Sequence, residues 1–473
     1  MKTGILLEKL INIAQAPKID FALSMNMAPS GLSKILTGKR LPFLKEKRMF
    51  SRQAAEYFAE ALYGYNCYLK FDPVFPVIYN FHSKYELELF LSDALEYALD
   101  QDFAIENDEN RDYPDKESGF LGKKKVLNMF CIIVSDYVVN HDDTPLEFYS
   151  TLPLFCRFYA DIFRRVVIAS PKKQNQISFN HFFNISSFEV SYDEYNMDVL
   201  LSIAQVQQYY DLNLWKIPEK MKQLFLLLKG NFLFVFNIQM DGTPFMSFIT
   251  HKSYLAAFFN SLMKKDMKKI SYNRSEAIAA LEADPSFIDR LIHKKIDAVY
   301  NFISIGYLVS RQEMDAITDN EILKESILKL FHSIMTGEAL FCVTVDAMMH
   351  FCATGKAIVP LLGAVDIPHT QRISYLQRFD DYITQENASK IKILNYELPN
   401  IAVLCFRGLS IVYVVDNEGR VEKMHYFETD MLNNILGMEI ADRNMKTMEF
   451  SPDLWDTYMD ELQKSMGWMK PKP

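Results

Sequence analysis

Hydrophobic positions in the first sixty residues fall into short helical periods separated by breaks. Ile5, Leu6, Leu10, Ile11 and Ile13 lie near one face of a helix over 4–14, which a break at Ala16-Pro17 ends. Phe21, Ala22 and Met25 give a short second helix, and Asn26 suits the left-handed conformation of a sharp turn between helices. Ala28-Pro29-Ser30 opens a third, with Pro29 in its first turn, Leu32, Ile35 and Leu36 turned inward and Gly38 as its C-terminal stop. A fourth amphipathic stretch over 49–63 runs through Phe50, Ala54, Tyr57, Phe58, Ala61 and Leu62 to Gly64.

Beyond this helical head the pattern becomes mixed. Residues 65–80 combine aromatics with two prolines and read as a linker with extended structure. A helix follows from Ser83 to Asp102, with Leu87, Leu89, Phe90, Leu91, Ala94 and Leu95 on its apolar side. Residues 103–124, acidic and then Gly119-Phe120-Leu121-Gly122, read as an exposed loop. Further helices are predicted over 124–139, 145–166, 195–212, 252–265, 274–282, 286–308, 311–334 and 372–385.

One pattern occurs twice, about 178 residues apart. An apolar strand reaches a basic residue and a glycine, Lys229-Gly230 or Arg407-Gly408, and a second apolar strand follows. A turn comes next (Asp241-Gly242 or Asn417-Glu418-Gly419), then a third strand and a helix. Chance similarity between hairpin-plus-helix units is the competing explanation, because such units are common. The predicted fold class is therefore helix-rich α+β: an all-α head, then a large mixed body with two candidate β-meander-plus-helix modules. The expected domains are 1–64, 65–220, 221–385 and 386–473.

Charge sharpens the division. The first 52 residues hold ten basic and three acidic side chains, a net of +7, which leaves −16 for the rest. A basic head on an acidic body points to a polyanionic partner at the head. The six cysteines, at 67, 131, 156, 342, 352 and 405, form no CxxC pair and suit a reducing compartment. No signal peptide is expected at the start, because Glu8 and Lys9 interrupt the first apolar run. No segment approaches the 18 apolar residues of a membrane span, so a cytoplasmic protein is expected.

From Phe21 to Pro42 the chain reads Phe21-Ala22-Leu23-Ser24-Met25-Asn26-Met27-Ala28-Pro29-Ser30-Gly31-Leu32-Ser33-Lys34-Ile35-Leu36-Thr37-Gly38-Lys39-Arg40-Leu41-Pro42. Over these 22 positions it resembles the phage-repressor, Cro-like helix-turn-helix family, with Asn26 at the turn glycine and Met27 at a buried valine. The resemblance covers about 60 residues and leaves the rest of the chain unassigned. It implies a recognition helix lying in the major groove of double-stranded DNA. Carried over residue by residue, it turns Ala28, Pro29, Ser30, Ser33, Lys34 and Thr37 toward the duplex and places Lys39 and Arg40 near phosphates. Pro29 stands where the family often has a long polar residue, and Gly31 has no side chain. Direct base readout is therefore thin, with more weight on phosphates and DNA shape.

The body offers no comparable signature for chemistry. There is no glycine-rich phosphate loop, HExxH or GxSxG. His141-Asp142 reads as a turn before a helix, His350 and Cys352 as packing, and the carboxylates Asp193, Glu194 and Asp198 as a solvated helix start. No catalytic residue, metal or cofactor is expected. The leading expectation is a sequence-specific transcription regulator acting as a homodimer, whose body senses a small molecule or peptide or drives oligomerisation. Its rivals are an enzyme or defence effector whose head only autoregulates or localises it, and a helix-turn-helix used for protein contacts.

Overall fold

A computed structural model describes residues 1–107, 118–140, 146–152, 166–168, 177–183, 211–217, 223–264, 267–303, 306–384, 390–396, 400–415, 422–442 and 445–449, with scattered residues in 200–207 and 451–464. The architecture is mixed α+β with a helical N-terminal region. The chain divides into two compact units. The first takes Met1–Phe182, Tyr209–Asp211 and Met221–Asp266; the second takes Phe183–Gln208, Leu212–Lys220 and Met267–Pro473.

The first unit opens with α1 (Thr3–Ala14), α2 (Lys18–Ser24), α3 (Pro29–Leu36) and α4 (Lys47–Leu62). Leu6, Leu10, Phe21, Leu32, Ile35 and Phe58 are buried together, and the Phe21 ring stacks on Phe58 with centroids 4.8 Å apart. Helix α5 (Lys84–Asn107) packs along α4, and Lys47 pairs with Asp100 across that seam at 2.6 Å. The Thr3 amide donates to Asp102 Oδ2 at 2.8 Å, which ties α1 to the same helix.

Residues 65–80 are not a free linker. A 3₁₀ turn at Cys67–Phe71 and strand β1 (Val77–Tyr79) bury Phe71, Val74, Phe75 and Ile78. The prolines stop a helix, but the apolar residues between them still seek the core, and head and body share one hydrophobic cluster.

The first unit's sheet contains β2 (Ser118–Leu121), β3 (Leu146–Ser150), β5 (Ile177–Phe183), β7 (Leu224–Leu228), β8 (Phe232–Ile238) and β9 (Pro244–Ile249). They lie in the order β5-β3-β7-β8-β9-β2, with only β3 and β5 parallel. Strand β4 (Val166–Ile168) pairs with β1 outside this sheet. Helix α6 (Lys123–Asn140) follows β2, and the helix Lys252–Met263 follows β9.

In the second unit, β6 (Asp211–Lys216) pairs through Trp215 and Lys216 with β10 (Lys268–Lys269). Then come β11 (Ser271–Asn273), β12 (Ile296–Asn301), β13 (Leu340–Thr344), the hairpin β14 (Lys356–Val359) and β15 (Gly363–Asp366), and β16 (Ile391–Asn395). The meander β17 (Ile401–Phe406), β18 (Leu409–Val415) and β19 (Glu422–Phe427) leads to the helix Met431–Ala441 and β20 (Lys446–Glu449). The sheet order is β11-β19-β18-β17-β12-β13-β16-β20. Its first six strands match the first unit in connectivity and direction, including the single parallel pair, β12 with β13. The matching meanders turn at Gly230 (φ 75°) and Gly408 (φ 72°), a left-handed conformation that glycine adopts without steric cost. Asn417-Glu418-Gly419 lies outside the described residues.

Several predicted helices are strands. Residues 146–150 of the helix expected over 145–166 form β3. Residues 200, 203 and 207 of the one expected over 195–212 are helical, but its last two, 211 and 212, open β6. The helix expected over 286–308 stops at His293, and β12 begins at Ile296. Residues 118–121 form edge strand β2 rather than a loop. The stretch 311–334 is two helices, Arg311–Met314 and Glu321–Thr336, the second capped by the Asn320 side chain. Strands covered on both faces lose their alternation, so periodicity alone does not separate them from buried helices.

Each unit buries a histidine. His181 on β5 and His425 on β19 are both lowered to about 3 by burial, with Lys423 adding to the effect at His425. In the unfolded chain each protonates near 6.5, whereas the folded forms stay neutral far below that. The unfolded state therefore binds more protons in this window, and stability falls as pH drops from about 6.5. Thermal melts between pH 7 and pH 5, above the carboxylate range, should show a falling Tm. A Tm that is flat or rises on acidification contradicts this assignment.

Candidate nucleic-acid interface

The turn between α2 and α3 is a compact helix stop. Asn26 takes the left-handed conformation (φ 52°), and the Met27 amide reaches back to Ala22 O at 3.0 Å, satisfying a carbonyl of the last turn. Ala28, extended at ψ 146°, then starts α3, and Pro29 occupies a first-turn position where its missing N–H costs no hydrogen bond.

Helix α3 has two distinct sides. Leu32 and Ile35 are buried and Leu36 is half-buried. Ala28, Pro29, Ser30, Ser33, Lys34, Thr37, Lys39 and Arg40 are all exposed. The Thr37 hydroxyl lies within hydrogen-bond distance of Ser33 O (2.9 Å) and Lys34 O (3.2 Å), so its proton is directed back into the helix. Gly38 at φ 70° lets the amides of Lys39 and Arg40 donate to Lys34 O, at 2.8 and 3.3 Å. Those bonds hold both basic residues beside the end of α3.

The position of α3 is set by a close approach. A Cβ on Gly4 of α1 would lie 2.5 Å from Leu36 O and 2.7 Å from Ile35 O. Only glycine lets α1 pass this near the last turn of α3.

Between Asp20 and Glu46 the sequence contains no carboxylate, while Lys34, Lys39, Arg40 and Lys45 all fall there. Among the described residues none of these four makes an ion pair, whereas Lys18 pairs with Glu8 at 3.0 Å. The result is an exposed, uncompensated basic surface around short polar side chains. Such a surface can neutralise phosphates while Ser30 and Ser33 act as hydrogen-bond donors.

His350 and Cys352 differ in burial. Cys352 is buried and its thiol is pushed up to about 11 by burial, whereas His350 is exposed. His141, Asp142, Asp193, Glu194 and Asp198 lie outside the described residues. Among the described residues no group of three or more His, Cys, Asp or Glu could hold a metal ion. No helix among them is long and apolar enough to cross a membrane.

A polar feature that the sequence did not flag lies in the second unit. Counted from the paired meanders, Met424 matches Met246, Tyr413 matches Phe236, and Glu422 matches Pro244. The first unit has apolar groups at these three positions. In the second, the Tyr413 hydroxyl and Glu422 Oε2 are buried near each other but without a hydrogen bond of ordinary length, and Glu422 Oε1 accepts from the Ala364 amide at 3.2 Å. Burial first, and the nearby Glu422 carboxylate second, hold the Tyr413 phenol protonated.

No family model, curated protein or solved structure matches the chain.

Lys34→Ala should change stability by no more than about 0.5 kcal/mol, because the side chain is exposed. It should cost about 1–3 kcal/mol of DNA affinity, with relaxed preference at one base pair, if the ammonium meets a base edge. Leu32→Ala should destabilise the head by about 2–5 kcal/mol through a cavity. Anisotropy titrations beside thermal melts separate the two effects. A Lys34→Ala protein that binds like the parent removes α3 as the reading helix.

Gly4→Ala tests the positioning of α3. Its methyl must displace backbone carbonyls, so a loss of about 1–3 kcal/mol in denaturant melts is expected. An unchanged midpoint would show that α1 does not set the position of α3.

Proposed function

We propose that the chain is a sequence-specific DNA-binding transcription regulator of the Cro-like helix-turn-helix kind, acting in the cytoplasm as a homodimer. The observation that carries this reading is the outward face of α3 and its two ends: nine exposed residues from Ala28 to Arg40, Gly38 included, within a stretch free of carboxylates. Leu32 and Ile35 use the inward face for folding, so Ser30, Ser33 and Lys34 are left for a partner. Lys39 and Arg40 position the helix through phosphates, and the serines and Lys34 read base edges or groove shape.

A single short helix buries little surface, so two heads reading half-sites about one helical turn apart are proposed. The parts of both units beyond the helical head form the sensing or oligomerising body, and no cofactor is invoked. A small-molecule or peptide effector would find unsatisfied hydrogen-bonding groups at Tyr413 and Glu422 in the second unit.

Selection of duplexes from a random pool, followed by salt titration on the winning sequence, tests this function. A shared motif and a log–log slope of roughly −4 to −8 are expected for paired basic heads. No enriched motif together with a slope near zero would refute it.

A further inference from the structure

The loop after α3 carries a feature that folding does not explain. Leu41 packs against the head's core and Pro42 is half-buried, but Phe43 and Leu44 then project outward, 64% and 63% exposed. Their backbone is fixed rather than slack, because the Glu46 amide donates to Phe43 O at 2.8 Å. The Arg40 guanidinium sits 5.6 Å from the centre of the Phe43 ring, over its face.

Single exposed apolar residues are common and need no explanation. This pair is different in its surroundings. Lys39 and Arg40 precede it, Lys45 and Arg48 follow it, and no acidic residue lies between Asp20 and Glu46. A second copy of the chain docking here through the same loop would bring like charges together. A polyanion would be attracted by these cations, which outnumber the one neighbouring carboxylate, Glu46, while the apolar pair meets sugars and bases.

We propose that Phe43 and Leu44 form an apolar wedge that inserts between base steps of duplex DNA flanking the groove occupied by α3, unstacking one step and bending the duplex. This rests on the DNA-binding reading above and adds how that interface recognises its target. Arg40 and Lys45 hold the phosphates on either side, and Phe43 replaces the lost base stacking with its own ring. Flexible pyrimidine–purine steps cost least to open, so the wedge favours such a step beside the α3 site. It supplies sequence preference that Pro29 and Gly31 do not.

The test compares the full-length parent with a Phe43→Ser, Leu44→Ser variant. The probe is a duplex selected by the parent from a random pool, carrying 2-aminopurine at successive flanking positions and a dye at each end. The parent should brighten 2-aminopurine at one flanking step and shorten the end-to-end distance. The variant should melt like the parent and keep its salt slope, yet bind about tenfold more weakly and lose both signals. A variant that binds, brightens and bends like the parent overturns the wedge while leaving DNA binding intact. A parent that dimerises without DNA in sedimentation, when the variant does not, assigns the pair to a protein contact instead. A parent that binds no duplex overturns both readings together.

Discussion

The inward hold on α3 is the constraint on which the rest of the head depends. Leu32 and Ile35 are buried with Leu6, Leu10, Phe21 and Phe58, and Gly4 lets α1 lie against the carbonyls that end α3. A helix fixed on one side by close packing has a single free side, and here that side carries only small, polar and basic groups. The same packing extends through α4 into α5, with Lys47–Asp100 and the Thr3 amide to Asp102 across the seam. Within the first unit the basic surface is therefore presented by a continuous core rather than carried on a tether.

The two units solve one folding problem with different fillings. Both arrange six strands in the same order, with one parallel pair and a glycine at the same hairpin. At matched positions the first unit uses Phe236 and Pro244, and the second Tyr413 and Glu422. Since the arrangement forms without these polar groups, their burial in the second unit is a cost that folding does not require.

The sequence made the head legible because each local choice there agrees with the fold. Asn26, Pro29 and Gly38 punctuate the chain where the backbone turns, and the apolar positions keep helical spacing. The repeated meanders were legible from Lys229-Gly230 and Arg407-Gly408, since a glycine between two apolar runs marks a hairpin. Strands β3 and β12 were not. Residues 146–150 and 296–301 are covered on both sides, so their patterns resemble buried helix. Tyr413, Glu422, Phe43 and Leu44 escaped for another reason: exposure and unmet hydrogen bonds arise only from the folded arrangement.

Site-specific photo-crosslinking reports which face of the head meets the duplex. A photoreactive amino acid at Ser33, on the exposed face of α3, is compared with one at Ser253, on the helix Lys252–Met263. With duplex DNA selected by the protein, position 33 should crosslink to bases of the selected motif and position 253 should not. No crosslink at position 33 from a protein that still binds the duplex would contradict it.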